Sequence, residues 1–177
     1  PLFGVGAKSR RAQVRWVPTW AEDGRTRFLL DTLAAAMRGA MLLVIADPAN
    51  PTGGTLSGED LEHIAWLAHR HDVLVYLDES FGRFRYDTPS TTLAQQANTE
   101  PRLISVGSVT QGYGLGSLRV GWLSGHRQLV RACALNAVLS APFVPTACQQ
   151  AAARAVQAED GLFTPVLDEF RGKRRYT

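Results

Sequence analysis

The 177-residue sequence predicts an α/β fold, a three-layer sandwich built around a mostly parallel sheet. Three observations carry this reading. Short, continuous apolar runs at residues 41–46, 73–77 and 103–106 have the character of strands buried on both faces. Stretches with apolar residues at helical spacing separate or follow them. Each run also ends abruptly in polar and turn-forming residues, as strands do at the rim of a parallel sheet.

In chain order, the alternation over residues 11–18 predicts a short strand ended by Pro18. Over residues 26–38, Phe28, Leu29, Leu30, Leu33, Ala36 and Met37 recur at helical spacing, and Gly39 stops the run as a C-cap. The first apolar strand then leads into Asp47-Pro-Ala-Asn-Pro-Thr-Gly-Gly, whose prolines and glycines forbid regular structure. Ser57, with Asp60 three residues on, opens a helix in a capping-box arrangement, and Leu61, Ile64, Ala65 and Leu67 form its buried stripe. That helix runs to about His71. The second strand ends at Asp78-Glu-Ser-Phe-Gly, and a less regular stretch over 83–100 holds a short helix near residues 93–97. The third strand passes into a loop with Gly112, Gly114 and Gly116, and residues 118–123 return as a fourth strand. Helical patterns at about 126–140, 145–158 and 160–175 complete the chain.

Composition narrows the function classes. The net charge is +3, but the seventeen arginines are scattered apart from Arg171, Lys173, Arg174 and Arg175, so no nucleic-acid or membrane footprint is indicated. Cys133 and Cys148 sit in Ala-rich helical stretches and make no disulfide framework or metal spacing, which fits reduced core thiols in the cytoplasm. His63, His69 and His71 do not share one helix face, so they read as solvated residues and no metal site is expected. The glycine loop has neither the spacing nor the following helix of a dinucleotide loop, and Ser80 lacks a nucleophile-elbow frame. Arg83, Arg85 and Tyr86 read as exposed loop residues.

Topology alone gathers chemistry at one rim. Parallel strands present their carboxyl ends on the same side, so Asn50, Asp78, Ser108 and Gln111 converge there with Arg119 nearby. Bare glycines let backbone N–H groups approach an anion, and a serine hydroxyl with a guanidinium completes a phosphate cradle.

The segments Asn50-Pro-Thr-Gly53, Asp78-Glu-Ser-Phe81 and Ser108-Val-Thr-Gln-Gly-Tyr-Gly-Leu-Gly-Ser-Leu-Arg119-Val-Gly-Trp122, in this order and spacing, resemble the large domain of class I/II aminotransferases, fold type I pyridoxal-phosphate proteins. The resemblance covers nearly the whole chain. It implies a seven-stranded, mainly parallel sheet in which the fourth strand read here runs antiparallel. It implies pyridoxal 5'-phosphate as cofactor, an amino acid and a 2-oxo acid as substrates, and a homodimer. Asn50 and Phe81 match positions beside the cofactor's ring hydroxyl, Phe81 standing where the family usually has Tyr. Asp78 matches the carboxylate facing the ring nitrogen, which it keeps protonated so that the ring serves as an electron sink. Ser108 and Arg119 match the phosphate ligands.

One departure bears on activity. Gln111 occupies the position of the family's Schiff-base lysine, three residues after the serine and eight before the arginine. An amide neither forms the covalent link nor carries the proton that catalysis moves. The only lysines, Lys8 and Lys173, lie outside every rim segment. The resemblance also places residues 1–177 as a partial large domain, without the N-terminal segment and the C-terminal small domain. The expectation is an aminotransferase-like protein that binds its cofactor without a covalent bond and is catalytically impaired. The alternative is a non-catalytic fold type I pseudoenzyme or assembly module.

Overall fold

The computed structural model describes residues 2–86, 101–140, 143–158, 161 and 163–176. The helix expected near residues 93–97 lies outside them. Helix α1 (Leu2–Ser9) opens the chain, followed by a hairpin of β1 (Thr19–Glu22) and β2 (Arg25–Phe28), and then α2 (Leu30–Met37). Next come β3 (Leu42–Ala46), α3 (Gly58–His71), β4 (Leu74–Asp78) and β5 (Leu103–Ser108). A four-residue turn of helix, α4 (Val109–Gly112), precedes β6 (Gly121–Gly125), and α5 (Arg127–Ser140), α6 (Thr146–Gln157) and α7 (Thr164–Lys173) follow.

The main sheet has the order β3-β4-β5-β6. Strands β3, β4 and β5 are parallel, and β6 is antiparallel to β5, as the resemblance implies. The described residues therefore carry four of the seven strands it implies. Burial alternates along β4, with Val75 and Leu77 enclosed and Leu74, Tyr76 and Asp78 half-exposed. The enclosed face packs on α2 and α3 through Leu33, Met37, Leu61, Ile64 and Leu67, which is the hydrophobic core. The opposite face meets α1, whose Phe3 ring packs edge-on against Tyr76 with centroids 5.6 Å apart.

Local chemistry explains the elements. The Ser57 side chain accepts the Asp60 N–H while the Asp60 carboxylate accepts the Ser57 N–H, so the predicted capping box starts α3. Helix α3 ends at Asp72 in the left-handed conformation, where its carboxylate takes Arg102 at 2.7 Å.

Two expectations are corrected. Residues 11–18 form no strand; the strands are β1 and β2, and β2 occupies the start of the stretch read as helix. The reason is the turn Asp23-Gly24, with φ of 48° and 71°, which suits the two-residue hairpin connection and commits residues 25–28 to pairing. The fourth strand begins at Gly121 and not at residue 118, because a 3₁₀ turn over Gly116–Leu118 and a left-handed Arg119 precede it.

The β5–β6 pair depends on glycine. Gly107 stands opposite Trp122, and a Cβ at Gly107 would lie 2.7 Å from the indole ring. We expect Gly107→Ala to cost about 1–3 kcal/mol in denaturant unfolding, and most of that cost to vanish in a Trp122→Ala background. Equal costs in both backgrounds would show that the ring contact is not the cause.

Candidate functional site

The carboxyl ends of β3, β4 and β5 form the rim. Ala46, Asp78 and Val106 stand abreast in the register, and Ser108 lies two residues beyond Val106. Side chains two apart on a strand share a face, and paired residues of parallel strands share one too. Asp78 and Ser108 therefore project from the same half-open face, roughly 8 Å apart between Cα atoms by strand geometry. The Asp78 Oδ1 accepts the Ser80 N–H at 2.9 Å, which leaves Oδ2 with no hydrogen-bond donor among the described residues.

Ser108 precedes α4, and its hydroxyl donates to Gln111 Oε1 at 2.8 Å. The serine and the glutamine thus form one unit at the start of the loop. Arg119 lies after the glycine loop, exposed, and its Nη1 donates to the Gly116 carbonyl at 3.2 Å. No hydrogen bond joins it to Ser108 among the described residues. Asn50 and Phe81 line a different part of the rim, a cleft of about 550 Å³ between the Asn50 loop, the β1–β2 turn and residues 81–86. The six predicted residues therefore fall into two groups: Asn50 and Phe81 in the cleft, and Asp78, Ser108, Gln111 and Arg119 along the ends of β4 and β5 and the loop beyond.

Beneath the rim lies a polar layer that the sequence reading missed. The Asp47 carboxylate is 1% exposed and is paired with the Arg85 guanidinium, while its Oδ1 also accepts the Leu56 N–H at 3.0 Å. Arg85, expected as exposed loop charge, has a side chain only 6% exposed. The correction has a clear cause: the carboxylate at the end of a buried strand needs a cation, and the segment after β4 supplies it. Next to this pair, the buried Ser105 hydroxyl donates to the Glu79 carboxylate. Arg83, also expected as exposed, donates to the Tyr113 hydroxyl at 3.1 Å and stacks over the Tyr113 and Phe163 rings. It thereby links the segment after β4 to the loop that carries Gln111.

Burial pushes the Asp47 carboxyl above the usual carboxylate range, against the opposing pull of Arg85 and the Leu56 N–H. Burial likewise raises Glu79, opposed by the Ser105 hydrogen bond. The Tyr76 hydroxyl is also raised, first by burial and then by the Asp78 charge on the same face.

The sequence profile of the family "Aminotransferase class I and II" matches residues 1–171. Capreomycidine synthase from Streptomyces vinaceus is 29% identical over 170 residues, which are 96% of this chain and 43% of that protein. Among solved structures, N-succinyldiaminopimelate aminotransferase from Mycobacterium tuberculosis superposes with a TM-score of 0.83 at 25% identity, covering 96% of this chain and 45% of that one. Cystalysin from Treponema denticola, whose structure contains pyridoxal 5'-phosphate, shares the fold with a TM-score of 0.81 at 14% identity, over 94% of this chain and 43% of that one. The chain spans less than half the length of these proteins.

The raised Glu79 carboxyl sets a pH dependence. In the unfolded chain Glu titrates near about 4.3. The folded chain holds the proton to higher pH, so the stability that protonated Glu79 contributes is present below that value and is lost as pH rises through the raised one. We expect Glu79→Gln, whose amide carbonyl still accepts from Ser105, to flatten the decline in melting temperature above pH 4. Melting curves of parent and variant that run parallel from pH 4 to 8 would contradict this.

Proposed function

The chain belongs to the class I and II aminotransferase family, and from that premise we propose that it is an aminotransferase-like protein that binds pyridoxal 5'-phosphate or its amine form without a covalent bond. The observation that carries this reading is the Ser108–Gln111 hydrogen bond at 2.8 Å. It fixes an amide, which has no titrating amine, at the position that the sequence resemblance assigns to the family's lysine.

The unspent polar groups fit the cofactor. Asp78 Oδ2 is an acceptor suited to a ring N–H, and Asp78 is half-exposed at the end of β4. The Asn50 amide makes no side-chain hydrogen bond among the described residues and suits the ring hydroxyl. Arg119 spends one donor on Gly116 and keeps the rest of its fork for a phosphate, beside the glycine loop. Phe81 lines the rim next to Asn50 and contributes apolar surface but no hydroxyl.

When bound, the protonated ring supplies an electron sink for negative charge on a substrate α-carbon. The residues here would do the holding: Asp78 would keep a proton on the ring nitrogen and Arg119 would anchor the phosphate, with Ser108 joining it once its hydroxyl turns from Gln111. Gln111 orients the Ser108 hydroxyl, but it does not accept or release a proton near neutral pH, so transfer of the amino group between an amino acid and a 2-oxo acid is impaired at this position. The free thiols Cys133 and Cys148 accord with a reducing, cytoplasmic setting.

One observation favours a second, non-catalytic reading. The outer face of α5 and the residues after it expose Leu135, Val138, Leu139 and Phe143, the last two at 87% and 89%. Exposed apolar side chains of this kind suit an assembly interface, including a homodimer. Light scattering across a concentration series is expected to show self-association that weakens in Leu139→Ser/Phe143→Ser; a parent that stays monomeric at every concentration would remove this support.

Attachment tests the main reading. Incubated with pyridoxal 5'-phosphate and reduced with borohydride, the parent should show no pyridoxyl adduct on a rim residue by intact-mass and peptide analysis. Gln111→Lys should acquire one, because Arg119 and partial burial lower the new amine's pKa toward reactivity. Asp78→Ala in that background should weaken binding at least tenfold, about 1.4 kcal/mol. A folded Gln111→Lys chain that takes up no cofactor would leave the rim residues as structural relics.

A further inference from the structure

The turn that carries Gln111 does not hold itself. Helix α4 has four residues, too few for hydrogen bonds along a helix to fix its position, so its place comes from what packs on it. Val109 anchors it from one side and is fully buried. Arg83 supplies another contact: its stem runs so close to Gly112 that a Cβ there would stand 3.4 Å from Arg83 Cδ. The Arg83 guanidinium lies over the Tyr113 ring at 4.5 Å and donates to the Tyr113 hydroxyl at 3.1 Å. Arg83 therefore grips the two residues that follow Gln111.

The same guanidinium also lies over the Phe163 ring at 5.0 Å, and Phe163 is the N-cap residue of α7. Phe163 is 3% exposed and meets Phe84 edge-on at 5.4 Å and Tyr113 at 6.2 Å between ring centroids. Phe84 in turn meets Phe170, further along α7, at 5.6 Å. Helix α7 is thus locked to residues 82–84, and through Arg83 the lock extends to the Gln111 turn. Close packing of this kind passes displacement on, so where α7 sits decides where Gly112 and Tyr113 sit.

We propose that Arg83 is a positioning residue: it transmits the placement of α7 to the Gln111 turn and so sets the geometry of the groups that receive a phosphate. The bearing on phosphate rests on the cofactor reading; the mechanical link does not. Ser108 and Gln111 share a hydrogen bond and Arg119 leans on the Gly116 carbonyl, so both proposed phosphate ligands depend on the stretch that Arg83 grips. Asp78, by contrast, is fixed by the pairing of β4 with its neighbours and by the Ser80 N–H. Loosening the turn therefore weakens the phosphate end and spares the ring end.

The first measurement needs no ligand. Amide hydrogen exchange in the chain should accelerate roughly tenfold over residues 109–116 in Arg83→Met and in Phe163→Leu, with exchange in α3 unchanged. The double variant should add little to either single change, because all three break one linkage. The second measurement follows pyridoxamine 5'-phosphate and pyridoxamine by fluorescence titration. Both single variants should weaken the phosphorylated compound roughly tenfold and the unphosphorylated one less than about twofold. Tyr113→Phe, which loses only the hydroxyl, should fall between parent and Arg83→Met, and it decides the matter if the other two do not fold. Unchanged exchange over 109–116, or exchange that rises equally in α3, would overturn the transmission. Equal losses for the two compounds, or intact binding of the phosphorylated one beside accelerated exchange, would overturn its bearing on the phosphate. A parent that binds neither compound would count against the cofactor reading alone, since exchange still decides what Arg83 does.

Discussion

The parallel register that sets Ala46, Asp78 and Val106 abreast is the constraint on which the rest of the site depends. It puts the ends of three strands at one rim and decides which side chains share a face. Shifting β4 by one residue would turn Asp78 into the core and Leu77 out of it. The apolar stripe of α2 and α3 prevents that slip, because Val75 and Leu77 fit it only in the observed register. Core packing and site geometry are therefore one requirement: the residues that bury the sheet also aim the carboxylate outward.

Below the rim, polar groups take over from packing. Asp47 and Arg85 lie almost wholly out of water, and such a pair does not by itself add much stability relative to an apolar replacement. What it adds is position. Asp47 begins the Asn50 loop, Leu56 ends it, and Arg85 belongs to the segment that follows Asp78, so one carboxylate fastens the two loops that bound the cleft. Removing either partner leaves a buried charge uncompensated, at a cost of about 3–5 kcal/mol. Arg83 plays a related part between the same segment and the Gln111 loop through Tyr113.

Much of this was legible in the sequence. The central strands, the Ser57 capping box and the convergence of Asp78 and Ser108 follow from apolar runs and parallel topology. The hairpin was not read, although Asp23-Gly24 is a turn signal, because the apolar spacing after Thr26 imitates a helix and the strands themselves are exposed or half-buried. Arg85 was misread since burial of a charge depends on a distant partner, which no local pattern encodes; the hint was an acid closing an apolar run at Asp47. The position of Arg119 relative to Ser108 was equally illegible, for it depends on a left-handed backbone at a non-glycine residue.

The central claim is that Asp78 and its neighbours form a cofactor site that works by non-covalent contacts in the presence of Gln111. Nitrogen NMR of ring-labelled pyridoxamine 5'-phosphate bound to the chain reports directly on the atom that Asp78 is proposed to face. The account predicts the chemical shift of a protonated pyridine nitrogen at pH values where the free compound has lost that proton, reverting to the unprotonated shift in Asp78→Asn. A bound cofactor whose ring nitrogen titrates as it does in water, or identically in parent and Asp78→Asn, would contradict it.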